Sequence, residues 1–278
     1  MKQSIFLVAG RLASRIFFRF SCAFIIALLS FAQLCSAQQP LIPHDPNFLS
    51  LPNNARTEII SREPLIILIN NFITDDEAKA LKQAAQPLLK KSLVVDGEKI
   101  DIEHPDRTSS SAFLTIDSSS SLALPITKRA TDFLRTTTTH AEGLQVVHYK
   151  NHQRYDTHFD YFDRTQPSGR AAIGARGQRV ATVLVYLNDV QPDSGGETFF
   201  PKIGEGLKVR PQKNMAVFWY NVLPSGLEDG RTLHAGLPIT GGEKYALNIW
   251  IRDPRLVNQV NETPTSLLVA ANNEQADK

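Results

Sequence analysis

His158 and Asp160 stand two residues apart in Tyr155-Asp156-Thr157-His158-Phe159-Asp160. In an extended strand that spacing turns both side chains to one face, where an imidazole nitrogen and a carboxylate can reach one point. Such a mixed donor pair suits Fe(II). A second histidine would complete a two-histidine, one-carboxylate set that leaves three coordination positions open. His234, in Thr232-Leu233-His234-Ala235-Gly236, is the candidate third donor. The same pair also suits a solvated polar strand face, and the spacing alone leaves both readings open. Lys244 follows in Gly241-Gly242-Glu243-Lys244-Tyr245-Ala246. Buried, its ammonium would call for an anion, because an unpaired charge in the interior costs several kcal/mol. At the surface it would be an ordinary lysine in a Gly-rich turn.

The elements that must position these residues fall into two parts. Leu65 to Ile69 is a short β-prone run closed by Asn70-Asn71, and Thr74-Asp75-Asp76-Glu77 is a capping box that opens a helix. Ala78, Leu81, Ala85, Leu88 and Leu89 share one face of that helix. Residues 94–110 read as a long polar loop or irregular hairpin, and a second helix is expected over residues 125–137 with Ile126, Ala130, Phe133 and Leu134 inward. From Leu144 the pattern changes to short strands: Gln145 to Tyr149, Val180 to Leu187, Thr198 to Phe200, Ala216 to Trp219 and Tyr245 to Ile251. Regularly spaced short strands with Gly, Pro and Asn turns indicate an antiparallel sandwich or barrel. Residues 38–62 lack periodicity and read as a lead-in, and residues 255–278 as a tail with a sequon at Asn261.

Charge and cysteine are unevenly distributed along the 278 residues. Residues 1–37 hold Lys2, Arg11, Arg15 and Arg19, both cysteines (Cys22 and Cys35), and no acidic residue. Taking those four cations from the 30 Lys and Arg leaves 26 against 28 Asp and Glu, so the body carries −2. A body of that charge argues against a nucleic-acid partner, and its lack of cysteine excludes disulfides and a zinc–thiolate site. The basic stretch, the apolar run at 22–37 and the small residues ending it read as a secretory signal peptide cleaved after Ala37, or as a retained signal anchor. The expected compartment is the secretory pathway, endoplasmic reticulum or Golgi lumen, with organelle targeting as the alternative. Membrane association is expected only if the segment is kept as an anchor.

From about Pro64 to Asp253 the chain resembles the short plant and algal prolyl 4-hydroxylases of the Fe(II)/2-oxoglutarate dioxygenase superfamily. The resemblance rests on motifs in order: Arg107-Thr108-Ser109-Ser110, Tyr149…Tyr155…His158-Phe159-Asp160, Arg179 to Leu187, Gly195-Gly196-Glu197-Thr198-Phe199-Phe200-Pro201, His234-Ala235-Gly236, and Gly242-Glu243-Lys244 followed by Trp250. It implies an α+β, mainly β fold over residues 63–254, a double-stranded β-helix (jelly-roll) core with supporting N-terminal helices. It also implies hydroxylation of peptidyl proline at C4, with Fe(II), 2-oxoglutarate, O₂ and ascorbate. By the resemblance His158, Asp160 and His234 would ligate iron. Lys244, Tyr149 and Thr198 would hold 2-oxoglutarate, while Tyr155, Arg179 and Trp250 would line the side that takes a proline-rich or collagen-like polypeptide. The other readings are a related dioxygenase acting on another residue or small molecule, and a non-catalytic ligand-binding relic of the fold. One departure is His152, where the family usually has Gly three residues after the first tyrosine. A side chain there tolerates positive φ less well, so the turn is expected to differ and to put the placement of Tyr149 in question.

Overall fold

The computed structural model describes residues 55–257 other than 98, 118 and 120, together with 44, 45, 47, 49 and 50. The chain divides into Met1–Gln39 and Pro40–Lys278, and all described residues belong to the second unit. The N-terminal targeting segment, the Asn261 sequon and the tail beyond residue 257 lie outside them.

Long-range antiparallel pairing dominates the architecture. An eight-stranded sheet runs in the order β1-β2-β12-β9-β14-β7-β6-β3, and a four-stranded sheet in the order β11-β10-β13-β8. The strands of the major sheet are β1 (Arg56–Arg62), β2 (Leu65–Asn70), β3 (Lys90–Lys91), β6 (Ser110–Leu114), β7 (Leu144–Tyr149), β9 (Gln178–Tyr186), β12 (Ala216–Tyr220) and β14 (Lys244–Asp253). The minor sheet contains β8 (Tyr155–His158), β10 (Thr198–Phe200), β11 (Leu207–Val209) and β13 (His234–Gly236). A separate hairpin joins β4 (Val94–Asp96) to β5 (Lys99–Ile102).

Period-two alternation gives the major sheet two different faces. On β14, Tyr245, Leu247, Ile249 and Ile251 enter a core shared with Ala78, Leu81 and Ala85 of α1 (Asp75–Ala85) and with Ile126, Ala130 and Phe133 of α2 (Ala123–Phe133). On the opposite face, Leu184 and Tyr186 of β9, Trp219 of β12 and Ala246 of β14 pack with Phe200 and Val209 of the minor sheet. Helices therefore cover one face and the minor sheet covers the other, which is the jelly-roll with supporting helices expected from the resemblance.

Several local expectations change. Thr74 and Glu77 do form the reciprocal capping box, but α1 stops at Ala85 and continues as a 3-10 turn over Gln86–Leu88. Pro87 has no N–H to donate and its ring clashes with the preceding turn, so Leu88 is 50% exposed, not inward. Residues 56–62, read as lead-in, form β1 and pair with β2. Residues 94–102 are the β4–β5 hairpin, with an irregularity between Val94 and Asp96. Residues 163–178 include a short helix, α3 (Pro167–Ile173), whose Ser168 N donates to Gly97 O of that hairpin at 3.3 Å.

Candidate active site

The metal donors come from facing strands of the minor sheet. His158 on β8 pairs in register with His234 on β13, and Asp160 follows β8 by two residues. One ligand atom from each of the three lies within 4.8 Å of the others. Asp160 Oδ1 is 3.8 Å from His158 Nε2, and Oδ2 is 3.8 Å from His234 Nε2. Each imidazole has its other nitrogen at a backbone carbonyl: His158 Nδ1 donates to Asp156 O at 2.8 Å, and His234 Nδ1 to Thr232 O at 3.0 Å. That arrangement assigns the proton to Nδ1 and turns both Nε2 lone pairs toward Asp160. Thr182 Oγ1 donates to Asp160 Oδ2 at 2.8 Å, fixing the carboxylate. Burial opposes ionisation of Asp160, but His234, His158 and Arg179 together hold its carboxyl below the usual range. Burial, with His234 adding to it, pushes His158 well below its usual value. Two imidazoles with Nε2 turned inward and one carboxylate, all converging, would hold a divalent first-row ion.

Lys244 opens β14 opposite Tyr149 of β7 and is 3% exposed. Its ammonium donates to Gly196 O at 2.7 Å and lies 5.3 and 5.5 Å from the rings of Tyr149 and Tyr186. Burial, only partly offset by Glu197, lowers it to about 7. A cation held in this way is under-compensated, and a ligand carboxylate would restore the balance. Thr198 sits nearby on β10; its Oγ1 accepts from Tyr186 Oη at 2.8 Å, which leaves the threonine proton to donate into the cavity. Gly236, paired with Thr198, leaves room for Tyr149, whose Oη would lie 3.4 Å from an added Cβ. These groups fit 2-oxoglutarate as the residues of the triad fit iron.

The turn after β7 carries the His152 side chain in the left-handed region. His152 adopts φ +65, a conformation that histidine enters more readily than most side chains, and its N–H donates to Ile239 O at 2.7 Å. His152 is exposed, and Tyr149 is 7% exposed against the cavity wall, not displaced.

A third group lines the wider side. The Tyr155 ring stacks on His158 at 3.5 Å, under the guanidinium of Arg107 at 4.6 Å, and burial pushes its hydroxyl up to about 12. Arg179 lies 3.6 Å over the Trp250 ring. All nine residues singled out in the sequence border one cavity of about 870 Å³, which also takes in the β4–β5 hairpin and α3. Four further residues complete the site. Glu142 anchors Arg179, Thr182 holds Asp160, Tyr186 holds Thr198, and Arg107 bridges Leu93 O and Gln145 Oε1. Thr182 and Tyr186 share the inward face of β9 by alternation, a signal the sequence did carry. Glu142 had none, because its partner lies 37 residues away.

A sequence profile of the 2OG-Fe(II) oxygenase superfamily matches residues 144–252. The chain is 38% identical over 216 residues to prolyl 4-hydroxylase 5 of Arabidopsis thaliana, covering 69% of this chain and 70% of the relative. It is 39% identical over 202 residues to the prolyl 4-hydroxylase subunit alpha-3 of Mus musculus, where it covers 72% of this chain but spans only 36% of the relative. Among solved structures, the viral collagen prolyl hydroxylase of Paramecium Bursaria Chlorella virus-1, in its 2OG complex, superposes with a TM-score of 0.51 at 29% identity. That match covers 67% of this chain and 94% of the viral one. Motif order, donor geometry and overall likeness agree, and the chain belongs to the prolyl 4-hydroxylase family of 2OG-Fe(II) oxygenases.

Proposed function

We propose that the chain hydroxylates C4 of a peptidyl proline in a proline-rich or collagen-like polypeptide. One atom of O₂ enters the proline C4–H bond as hydroxyl; the other enters succinate as 2-oxoglutarate loses CO₂. The observation that carries this reading is the convergence, in one cavity, of the tautomer-fixed His158, Asp160 and His234 with the buried, under-compensated Lys244. Fe(II) held by the triad would supply the activation of O₂ at the expense of 2-oxoglutarate.

The chain's own residues do the rest. Lys244 pairs with the distal carboxylate of 2-oxoglutarate, and Thr198 and Tyr149 offer hydroxyls that orient it. Tyr155, Arg179 and Trp250 form an aromatic and cationic wall against which a proline ring packs. The β4–β5 hairpin and α3, in contact through Ser168 and Gly97, border the mouth and exclude water from the bound peptide. A polyproline II segment suits such a groove, since it docks with little further loss of conformational freedom.

Incubation with Fe(II), 2-oxoglutarate, ascorbate and proline-rich peptides tests the reading. The expected product is one added oxygen on proline, located by tandem mass spectrometry. Persistent decarboxylation of 2-oxoglutarate without prolyl product across varied proline-rich peptides would instead point to a related dioxygenase with another acceptor. The acid-free basic stretch and apolar run of residues 1–37 support action in the lumen of the secretory pathway. Protease protection of the protein in intact microsomes tests that placement.

A further inference from the structure

Behind Thr182, on the side away from Asp160, stands a second buried polar side chain. Thr182 of β9 pairs with Trp219 of β12. Asn221 lies two residues past Trp219, so alternation puts it on the same face and diagonally beside Thr182. Its backbone continues the pairing: Asn221 N donates to Val180 O at 2.9 Å, and its carbonyl accepts from Asp229 N at 3.0 Å. The side-chain Nδ2 donates to Thr182 Oγ1 at 3.0 Å. Asn221 is 0% exposed and does not border the cavity. Its only route to the metal donors is through Thr182.

The direction of the bonds follows from Asp160. A carboxyl group that ligates a metal is deprotonated, and a carboxylate only accepts. The Thr182 proton therefore goes to Asp160 Oδ2, at 2.8 Å. A hydroxyl has a single proton, so toward Asn221 the same oxygen can only accept. The nearer amide atom must then be nitrogen, with Nδ2 at 3.0 Å and Oδ1 at 3.4 Å. With the amide reversed, an acceptor would stand at the closer place and draw the hydroxyl away from Asp160. The arrangement leaves Asn221 Oδ1 with no other donor among the described residues. A buried amide oxygen in that state opposes folding, and a leucine of about the same volume would avoid it.

We propose that Asn221 is a positioning residue of the metal centre. By filling the acceptor side of Thr182 Oγ1 it directs the hydroxyl proton to Asp160 and fixes the carboxylate before a metal arrives. The role rests on the reading of His158, Asp160 and His234 as the metal donors. It extends that centre to a side chain that touches neither metal, cosubstrate nor polypeptide.

Titration of the metal-free protein with Co(II), followed by visible absorption, reads the effect without turnover. Asn221→Leu removes the donor, and its Co(II) dissociation constant is expected to rise about fivefold. That is less than the roughly 10- to 100-fold typical of a direct partner of a metal ligand. In a Thr182→Val background no hydroxyl remains to direct, so the same substitution should change the constant less than about twofold. The metal-free melting temperature of Asn221→Leu should equal or exceed that of the unsubstituted protein, because the unsatisfied amide is gone. An asparagine that served packing alone would lower it, and would weaken Co(II) equally in both backgrounds. Asn221→Ala adds no bulk, and should show the same loss and the same dependence on Thr182. An unchanged Co(II) constant in both variants, or an equal loss with and without the Thr182 hydroxyl, would overturn the role and leave the triad intact. Co(II) binding that survived His158→Ala at full strength would overturn the metal centre and the role together.

Discussion

Arg179 meets Glu142 fork to fork, Nε to Oε1 and Nη2 to Oε2, both at 2.7 Å. The same carboxylate accepts from Arg252 Nη1 at 2.9 Å. A buried acid just before β7 thus sets the guanidinium that covers Trp250, linking the helix-side loop to the Arg179–Trp250 wall of the cavity.

Removing that acid takes the carboxylate from the buried Arg252 and the half-buried Arg179. Glu142→Gln keeps the shape and loses the charge, so its expected cost is roughly 3 kcal/mol of unfolding free energy, read by chemical denaturation. If Arg179 is held for the peptide, the KM for peptide rises while that for 2-oxoglutarate does not. Burial opposes ionisation of Glu142, but Arg179 and Arg252 outweigh it and hold its carboxyl below the ordinary glutamate value of 4.5. Its stabilisation is therefore complete above about 4.5 and is lost as pH falls through the lower folded value. Glu142→Gln should flatten this part of the acid profile; an unchanged profile would show that other carboxylates carry it.

Thr182 touches the metal only through Asp160. Its hydroxyl donates to Oδ2 at 2.8 Å, so Thr182→Val preserves volume while freeing the carboxylate to rotate. Partners of this kind are typically worth 10- to 100-fold in metal affinity. The expected result is a weaker Fe(II) or Mn(II) dissociation constant by about that factor, with kcat at saturating metal reduced far less. An equal fall in kcat at saturating metal would assign the threonine a direct part in turnover.

Gly196 does two things at once. Its φ of +76 belongs to the left-handed region, and an added Cβ would fall 2.2 Å from Ile239 Cδ1; its carbonyl accepts the Lys244 ammonium. Gly196→Ala should therefore raise the KM for 2-oxoglutarate about tenfold or more through the displaced lysine, leaving metal affinity unaffected. Isothermal titration of metal and of cosubstrate separates the two effects.

His234 and Lys244 were placed through the resemblance, whereas His158 and Asp160 were readable as a pair because their spacing follows strand geometry. The long inward runs of β9 and β14 were readable for the same reason. β1 was not: Arg56, Thr57, Glu58 and Ser61 give it a charged, mostly exposed edge whose partner strand alone makes it a strand. The stop at Pro87 was a local signal overruled by the apolar period through Leu88. His152 shows the reverse case: it takes a left-handed conformation that Gly would hold with less strain, and its N–H donates to Ile239 O at 2.7 Å. Glu142 and Arg107 are held by partners distant in sequence, Arg179 and Arg252 for the first and Leu93 O and Gln145 for the second, pairings that no local pattern encodes.

Lys244 makes cosubstrate binding sensitive to pH in a predictable direction. In the ligand-free protein burial lowers its ammonium to about 7, whereas the form that pairs with a carboxylate is the protonated one. Affinity for 2-oxoglutarate should be level below about pH 7 and weaken above it, by up to tenfold per pH unit, until the raised value in the complex is reached. Binding above pH 7 should take up a proton, seen as a buffer-dependent enthalpy in calorimetry with a redox-inert metal. The stability of the ligand-free protein should run the opposite way. A lysine lowered from 10.5 to about 7 binds more protons in the unfolded chain between those values, so stability rises with pH across that interval. Lys244→Met should abolish both slopes while raising the KM for 2-oxoglutarate by at least tenfold. Opposite slopes that vanish together in one variant identify a single buried ammonium as their source; slopes that persist in Lys244→Met would place the titrating group elsewhere.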